Sequence, residues 1–407
     1  MNCRHCEATL KNTFLDLGES PPSNAYLSKS NLNELEKKYP LRVLVCDRCW
    51  LVQTEDFVNA NEMFSDEYAY FSSISKSWVE HARVYVEEVI DRFALNNSST
   101  VLEIASNDGY LLQFVKEKNI SCYGVEPTRS TAEDARKKGI ETIEKFFGVS
   151  LAESLKANGR QADLIIANNV LAHVPEINDF VSGVSILLKP GGAASFEFPH
   201  LLSLVQNNQF DTVYHEHYSY LSLISVQKIF KTNGLDIFDV KEIPTHGGSL
   251  RVFAQRDNKK SFDTEESVRK ILGKEKSAGM SNMKFYVGFQ HKANKVRDDF
   301  LSFLKKAKAA NKKVIGYGAA AKGNTLLNYS RIGTDLIPLV VDKNPAKQGM
   351  YLPGSKIPIA HTDKLNYTYD YVVVFPWNIK DEIATQLRSL CDGQYKLVTA
   401  VPKLEIE

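Results

Sequence analysis

Short apolar strands alternate with helices along most of this chain, and the alternation occurs twice. The first series lies between residues 100 and 200, and the second starts again after residue 312. Such alternation is typical of a parallel, doubly wound sheet with helices on both faces. The sequence therefore predicts two α/β domains, the second one smaller. The predicted strands are Val101–Ala105, Ser121–Val125, Asp163–Ala167, Ala193–Phe198, Lys313–Gly316, Leu336–Val341, Tyr371–Phe375 and Tyr395–Val401, and the predicted helices include Trp78–Phe93, 110–118, 130–138, Asp179–Leu188 and Ala319–Asn328.

The length and the charge bound the class of protein. A chain of 407 residues exceeds one ordinary core, so two or three domains are expected. The net charge is +1, with both signs interspersed, and we expect neither a nucleic-acid nor a membrane partner. No apolar run approaches the ~20 residues that span a bilayer, and the first residues contain no apolar signal region. The expected location is cytoplasmic, as a monomer or weak oligomer.

Domain boundaries follow from changes in pattern. Residues 1–70 are predicted to form a small domain of short strands and turns, and residues 71–255 the first α/β domain. Residues 256–407 are predicted to contain a helical linker and the second α/β domain. Residues 262–310 are rich in Lys and Glu with helical periodicity, which predicts long exposed helices that bridge two domains.

Two cysteine pairs lie in the N-terminal region, at Cys3-x2-Cys6 and Cys46-x2-Cys49. Two residues between cysteines allow both sulfurs of a turn to reach one ion, and two such turns complete a tetrahedron. A redox motif does not fit, because neither pair opens a helix after a parallel strand. Two unrelated pairs of buried cysteines are the alternative. The spacing predicts a structural zinc site, since four thiolates leave no position open for water.

The turn after the strand Val101–Ala105 lacks the glycines of a dinucleotide site and the Lys of a phosphate loop. Its acidic residues suit a cation, and a carboxylate at the end of the next strand suits ribose hydroxyls. A cationic nucleoside with an amino-acid tail is S-adenosylmethionine. A strand-turn-helix without any ligand is the alternative. The predicted cofactor residues are Glu103, Ala105, Ser106, Asn107, Asp108, Glu126, Pro127, Phe147, Asn168 and Asn169.

The segment Tyr214–Tyr220 contains two imidazoles, a carboxylate and three phenols. Each polar tip needs a partner once it is buried, so this composition is poor core material. Histidine titrates nearest neutral pH, and the composition therefore favours a site that moves a proton. A polar loop or a hydrogen-bonded corner is the alternative. His173 lies at the carboxyl end of a predicted strand, where it either faces reacting atoms or bonds to the backbone.

Two glycine-containing loops follow the segment Tyr214–Tyr220. In the first, adjacent glycines allow close approach of a ligand, although a hairpin turn would also explain them. The second, Gly316–Thr325, follows a strand and opens a helix with Lys322 in its first turn, which is typical of a diphosphate site. The residues assigned to a substrate in these loops and at neighbouring strand ends are His246, Gly247, Ser249, Arg251, Gly318, Lys322, Asn324, Thr325, Asp342, Trp377 and Asn378, and structural roles are the alternative for the last three.

The chain resembles the sugar C-methyltransferases of bacterial deoxysugar biosynthesis, which methylate carbon 3 of a nucleotide-bound 4-keto-6-deoxy sugar. The resemblance covers nearly the whole chain, and the order of its motifs is more specific than any one of them. One departure is Ala105, which stands where many methyltransferases have Gly. The motifs are the cysteine pairs, Tyr68-x-Tyr70-Phe71-Ser72-Ser73, VLEIASNDG, GVEP, NNVLAHV, FDTVYHEHYSYLS, HGGSLRV and GYGAAAKGNTLLN.

The resemblance implies an α/β fold with an N-terminal zinc-binding domain, a central doubly wound Rossmann-like methyltransferase domain and a smaller C-terminal Rossmann-like domain. It implies His217 as the base, with Glu216 and Tyr214 orienting the substrate or stabilising an enolate, and His173 as the competing candidate. A 4-keto group acidifies the proton on carbon 3, so the chemistry needs a base, donors for the oxyanion and an aligned methyl group.

By the same resemblance, the loop around Lys322 binds the diphosphate of a nucleotide-linked keto-deoxysugar. Tyr68 and Tyr70 are expected to contact the sugar.

The sequence patterns also fit other functions. The pattern Gly316-x-Gly318-x-x-Ala321, with Asp342 further on, approximates a dinucleotide fingerprint and suggests an NAD-dependent oxidoreductase or another nucleotide-sugar-modifying enzyme. Lys322 at the helix start counts against a dinucleotide. A second alternative is a non-enzymatic zinc scaffold that binds a nucleotide sugar, and a third is an O- or N-methyltransferase.

Overall fold

The computed structural model describes residues 1–57, 71–365, 369–390 and 395–407. Within these residues it contains three β-sheets, one for each predicted domain. The α/β fold class, with its small N-terminal domain and two Rossmann-like domains, is confirmed. None of the described helices combines the length and the apolar character that crossing a membrane requires.

The N-terminal sheet has a strand that comes from elsewhere in the chain. Strands β1 (Asn12–Ser20), β2 (Tyr39–Val45) and β3 (Val52–Thr54) are antiparallel neighbours. The fourth strand, β9 (Ser219–Tyr220), pairs antiparallel with β3, so the sheet order is β1-β2-β3-β9. Part of the segment Tyr214–Tyr220 is therefore a component of the N-terminal domain's sheet.

The central sheet has the order β10-β11-β8-β7-β4-β5-β6, in which β4 to β8 are parallel. Near one edge, β11 runs antiparallel to both of its neighbours, β8 and β10, so the sheet is not entirely parallel as the sequence predicted. The reason is the short connection between β10 and β11, which does not allow a crossover. The strands are β4 (Thr100–Ile104), β5 (Ser121–Val125), β6 (Glu141–Ile143), β7 (Ala162–Asn168), β8 (Leu188–Pro199), β10 (Leu235–Ile243) and β11 (Ser249–Arg256).

Amphipathic helices cover both faces of the central sheet. The predicted apolar face of the first helix is confirmed, since Ala82, Val86 and Val89 are buried against the sheet and Trp78 and Phe93 pack beside them. The helices of this region are α1 (Lys76–Arg92), α2 (Leu112–Glu117), α3 (Arg129–Lys137), α4 (Val149–Ala157), α5 (Ile177–Leu187), α6 (Leu201–Gln206) and α7 (Leu223–Thr232).

The linker contains α8 (Glu266–Ser277), α9 (Met283–Tyr286) and α10 (Phe289–Ala309). The prediction of exposed bridging helices is wrong for one face of α10, whose Phe289 and Phe300 are buried. Phe289 stacks on Phe14 of β1 with ring centroids 4.7 Å apart, and this cluster continues into the C-terminal sheet. The charged residues that suggested exposure occupy the other face of the helix.

The C-terminal sheet has the order β14-β13-β12-β15-β16-β17 and is parallel except for its last strand. The strand predicted over Leu336–Val341 is shorter, because Pro338 has no N–H to donate to a neighbouring strand. The strands are β12 (Val314–Tyr317), β13 (Val340–Val341), β14 (Ile359–Ala360), β15 (Tyr371–Val374), β16 (Lys396–Thr399) and β17 (Glu405–Ile406), and the helices are α11 (Ala321–Tyr329) and α12 (Lys380–Leu390).

Candidate active site

The four predicted cysteine ligands come together at the end of the N-terminal sheet. Their sulfurs lie within 4.8 Å of one another, and Cys3–Cys49 and Cys6–Cys46 are each 3.5 Å apart. Tetrahedral zinc with Zn–S bonds of about 2.3 Å requires sulfurs about 3.8 Å apart, so the set fits this metal. The Gln53 side chain donates to Cys3 Sγ at 3.3 Å, as expected of a donor to a metal-bound thiolate.

The turn after β4 has the shape of a ligand site. Ala105 and Asn107 have φ values of +57° and +50°, a conformation that glycine adopts at less cost. Several buried polar atoms here have no hydrogen-bond partner in the described chain, and a polar ligand would satisfy them. These atoms are Glu103 Oε2, Ser106 Oγ, Asp108 Oδ1, Asn168 Oδ1 and Asn169 Nδ2.

Acidic groups at this edge are held in place by the backbone. Glu126 accepts the N–H groups of Asn107 and Thr128, both at 2.9 Å, and burial raises its pKa. Burial, followed by the charges of Asp108 and Glu126, raises the pKa of Glu103 well above its usual range. A cationic ligand would offset this concentration of carboxyl groups. The edge therefore suits the sulfonium, ribose and amino-acid parts of S-adenosylmethionine.

Phe147 packs against the core of the central domain. Its ring packs edge-on against Phe180 of α5, with centroids 5.5 Å apart, while Phe146 is half exposed. Pro127 directly follows Glu126 at the end of β5. Contacts of Phe147 and Pro127 with the adenosine group stay predictions.

The segment Tyr214–Tyr220 holds a neutral imidazole in a fixed tautomer. His217 Nδ1 lies 2.8 Å from the carbonyl oxygen of Thr212, which only accepts, so Nδ1 carries the proton. Nε2 then has the lone pair, and the Tyr214 hydroxyl donates to it at 2.9 Å. Burial, followed by the nearby His173, lowers the pKa of His217 well below its usual range. The imidazole is therefore neutral, and Nε2 is able to take a proton.

His173 is brought against His217, with ring centroids 4.6 Å apart. Burial lowers the pKa of His173 to about 4, against a hydrogen bond with the backbone of Glu216. His215 of the same segment points elsewhere, because its Nε2 lies 3.2 Å from the carbonyl oxygen of Pro40. The two imidazoles of the segment thus have different surroundings, and His217 is the one beside His173.

The N-terminal domain fixes the backbone of this segment. The N–H of Thr54 donates to the carbonyl of Tyr218, and its hydroxyl to the carbonyl of His217, both at 3.1 Å. These bonds extend the pairing of β3 with β9. Residues on β3 therefore contact both the zinc ligands and the candidate base.

Lys322 lies in the first turn of α11, as predicted. Its Nζ donates to Asn378 Oδ1 at 2.9 Å and lies 4.5 Å from the centre of the Trp377 ring. Burial lowers the pKa of Lys322 to about 8, and the charge of Asp211 opposes this effect. Trp377 Nε1 donates to Asp211 Oδ2 at 2.7 Å, and burial raises the pKa of Asp211 to about 6.

Asp342 and the other predicted substrate residues of the loop Gly316–Thr325 form contacts within the protein. Asp342 Oδ2 accepts the Ala319 N–H at 2.6 Å, so this carboxylate supports the loop itself. Asn324 donates to the Ser23 carbonyl at 2.6 Å, and Thr325 to the Val213 carbonyl at 2.8 Å. Gly318 has φ +87°, and an added Cβ would lie 2.5 Å from Pro376.

The first glycine loop brings the central and C-terminal domains together. A Cβ on Gly247 would lie 2.5 Å from the Trp377 ring, so only glycine permits this approach. His246 lies 5.2 Å from Trp78, ring to ring, and burial lowers its pKa to about 4. Ser249 Oγ donates to the Thr245 carbonyl at 2.9 Å.

Arg251 forms an ion pair and a ring contact within the central domain. Its guanidinium donates to Glu197 Oε2 at 2.9 Å and lies 4.2 Å from the centre of the Tyr85 ring. Burial acts to raise the pKa of Glu197, but His81 and Arg251 outweigh it and lower this pKa to about 2. A substrate contact of Arg251 stays a prediction. Tyr68 and Tyr70, which were assigned to the sugar, lie outside the described residues.

Comparison with known proteins gives the family. A zinc binding domain matches residues 3–64, a methyltransferase domain residues 78–240, and a C-methyltransferase C-terminal domain residues 244–402. The C-methyltransferase NovU of Streptomyces niveus is 32% identical over 402 residues, which are 98% of this chain and 95% of that protein. The chain belongs to the C-methyltransferase family.

Two further proteins match a part of this C-methyltransferase. A ubiquinone biosynthesis O-methyltransferase of Chelativorans sp. is 28% identical over 93 residues, 23% of this chain and 37% of that protein. The crystal structure of magnesium protoporphyrin IX methyltransferase from Synechocystis with bound SAM has a TM-score of 0.34 and 17% identity, and covers 44% of this chain and 81% of that one.

Membership confirms both cofactor predictions for this C-methyltransferase, S-adenosylmethionine as methyl donor and zinc at the cysteine cluster. The alternatives of an oxidoreductase and of a non-enzymatic scaffold are wrong, because the chain is a methyltransferase. An O- or N-methyltransferase is also set aside by the C-terminal family model and by the relative that spans the chain.

Sequence reasoning missed several groups at this C-methyltransferase site. Asp211 lies inside the quoted motif FDTVYHEHYSYLS, which was a signal for it, but it received no role. Asn24 and Tyr26 follow Pro21-Pro22 and belong to none of the quoted motifs. The site also has a cluster on α1 and β8 in which His81 Nε2 lies 3.1 Å from Glu197 Oε2.

Proposed function

We propose that this enzyme transfers a methyl group to carbon 3 of a nucleotide-linked 4-keto-6-deoxy sugar, after its own base has formed an enolate. The observation that carries the proposal is the neutral His217, whose Nε2 lone pair is set by the Thr212 carbonyl and covered by the Tyr214 hydroxyl. A carbon acid next to a ketone needs such a base within hydrogen-bond reach.

The proton of carbon 3 ends on His217 Nε2, and the electrons of the broken C–H bond move to the ketone oxygen. The Tyr214 hydroxyl is 2.9 Å from Nε2, so it lies close enough to donate to the developing oxyanion or to pass the proton on. The low pKa of His217 makes it a weak base in the free enzyme. The negative charge of the enolate offsets this, since it stabilises the imidazolium that forms beside it.

Residues of the central domain serve the methyl donor. Glu126 would accept the ribose hydroxyls, and Ser106 with Asn107 would hold the amino-acid end. When bound, S-adenosylmethionine supplies the electrophilic methyl group that the carbon nucleophile attacks. Asn169 Nδ2 is a buried donor at the same edge and would orient either ligand.

Residues of the C-terminal domain serve the nucleotide. Lys322, at the start of α11, would bind the diphosphate together with backbone N–H groups of the loop. Trp377 and Asn378, which contact Lys322, lie where the nucleoside would follow. The donor and the sugar nucleotide would then be held by residues of two different domains.

The low pKa of Lys322 predicts that the activity of this enzyme declines at alkaline pH. The ammonium is charged below about 8 and loses its charge above it, while His217 is neutral over the whole range from pH 6.5 upward. We expect kcat/KM for the sugar nucleotide to decline with a midpoint near pH 8. In Lys322→Arg the guanidinium stays charged, so the decline should disappear from profiles measured between pH 6.5 and 9.5. A decline that is the same in both proteins would contradict this role.

The proposed substrate is tested with labelled methyl donor and a panel of nucleotide-linked 4-keto-6-deoxy sugars, followed by mass analysis of the products. Deuterium at carbon 3 separates the mechanisms, because C-methylation replaces the label and O-methylation keeps it. We expect a product that has gained one methyl group and lost the deuterium. Label retained in the methylated product, or no methylation of any panel member, would refute the proposal.

A further inference from the structure

The N-terminal domain reaches the candidate active site at a second place, through the segment Ser20–Leu27. This segment leaves the end of β1 that is farthest from the cysteines, because Asn12 pairs with Val45 beside Cys46 while Ser20 pairs with Tyr39. It then lies against the C-terminal domain, where Leu27 forms a bridge with Tyr351. The segment connects β1 with β2, yet its contacts are with other domains.

Hydrogen bonds fix the Ser20–Leu27 segment to the loop Gly316–Thr325, part of which is the first turn of α11. The carbonyl of Ser23 accepts from Asn324 Nδ2 at 2.6 Å. The Tyr26 hydroxyl donates to the carbonyl of Ala319 at 2.6 Å, which also accepts from Lys347 Nζ at 2.8 Å. Asn324 is fully buried, so the position of the segment is well defined.

Between these two anchors, Asn24 turns toward the segment Tyr214–Tyr220. Its Nδ2 donates to Glu216 Oε1 at 2.7 Å, across domains and with Glu216 only 3% exposed. A hydrogen bond to a carboxylate is about twice as strong as one between neutral groups. Asn24 lies between the anchored Ser23 and Tyr26, so its amide sets which way the carboxylate of Glu216 faces.

We propose that Asn24 is a positioning residue of the catalytic centre, which acts on the substrate through Glu216. This rests on the proposed function, since it requires that Glu216 orients the sugar or stabilises its enolate. The small zinc-binding domain then contributes a side chain to the reaction as well as a scaffold. Misplacement of a catalytic group by about 1 Å is sufficient to cost on the order of 100-fold in rate.

A double-mutant cycle tests the proposal. Asn24→Ala should lower kcat about 10- to 100-fold with little change in KM, and Glu216→Gln should also lower it. In the Glu216→Gln background, Asn24→Ala should cost no more than about twofold, because the two residues act as one unit. Affinity for S-adenosylhomocysteine should be unchanged. Full kcat in Asn24→Ala, or losses that multiply in the double variant, would overturn the proposal.

Two variants separate positioning from folding. Asn24→Asp keeps the shape and replaces the donor with an acceptor of the same charge as Glu216, so it should be at least as slow as Asn24→Ala. Asn31→Ala, at an exposed Asn of the same connection, is the matched control and should keep wild-type rates. Zinc content and melting temperature are measured for each, and an Asn24→Asp protein as active as the wild type contradicts a positioning role.

A spectroscopic readout keeps this inference independent of the substrate. In protein labelled with ¹³C at glutamate carboxylates, the signal that Glu216→Gln removes identifies Glu216. We expect that signal to move in Asn24→Ala and to stay in place in Asn31→Ala. If no sugar of the panel is methylated, the proposed function fails, whereas an unmoved signal shows that Asn24 does not position Glu216.

Discussion

We expect His217→Ala to lose turnover and to keep ligand binding. The variant has no lone pair at the position of Nε2, so kcat should fall about 10²- to 10⁴-fold, the usual contribution of a positioned base. The proposed donor site lies at the ends of β4, β5 and β7, away from this side chain, so affinity for S-adenosylhomocysteine should stay within about twofold. Calorimetry for binding and labelled methyl transfer for turnover are the two measurements.

His215 provides the matched control for this experiment. It belongs to the same segment, but its imidazole faces the carbonyl of Pro40 in the N-terminal domain. We expect His215→Ala to change kcat by no more than a few-fold, whatever it does to stability. His173→Ala is the third arm, because His173 is the competing candidate for the base. A larger loss of kcat in His173→Ala than in His217→Ala would transfer the role of base to His173.

Removal of zinc should abolish turnover although no step of the proposed mechanism uses the metal. Two neighbouring residues of β3 connect the metal site with the proposed base, since Gln53 donates to Cys3 Sγ and Thr54 donates to the carbonyl of His217. Structural zinc contributes about 10–16 kcal/mol to folding in small zinc-finger peptides. Cys46→Ser should therefore lose zinc, the order of β3 and at least about 99% of the activity.

Binding of the donor distinguishes this effect from global unfolding. The Cys46→Ser protein should still bind S-adenosylhomocysteine, because the residues proposed for that site belong to the central sheet. Cys122→Ser is the control, since Cys122 lies on β5 outside the cysteine cluster and should leave zinc content and rate unchanged. Zinc-free protein with wild-type kcat would show that β3 does not depend on the metal to hold His217.

The local parts of this fold follow directly from the sequence. Strand and helix alternation predicts both α/β domains, because burial of one helix face and of short apolar strands leaves a periodic pattern. The cysteine cluster is also predicted from local sequence, because two residues between cysteines allow both sulfurs to reach one ion. The place of Lys322 in the first turn of α11 was also predicted, because the start of a helix after a strand depends on neighbouring residues.

Contacts between distant segments could not be predicted in this way. β9 has two residues and pairs with β3, so no periodicity marks it as a strand. Asn24 meets Glu216 only because two other domains hold the Ser20–Leu27 segment between them. The buried face of α10 was missed because Lys residues dominate its composition, although Phe289 and Phe300 lie at helical spacing on the other side.

The pairing of β3 with β9 also affects how the protein is made. The ribosome completes the cysteine ligands and β3 early, but the sheet of the N-terminal domain lacks its last strand until Ser219 and Tyr220 emerge. At about 5–20 residues per second, this delay is on the order of 10–30 s. During that time the edge of β3 is open to incorrect partners. Early capture of zinc would hold the nascent domain together until β9 and the rest of the segment Tyr214–Tyr220 have been made.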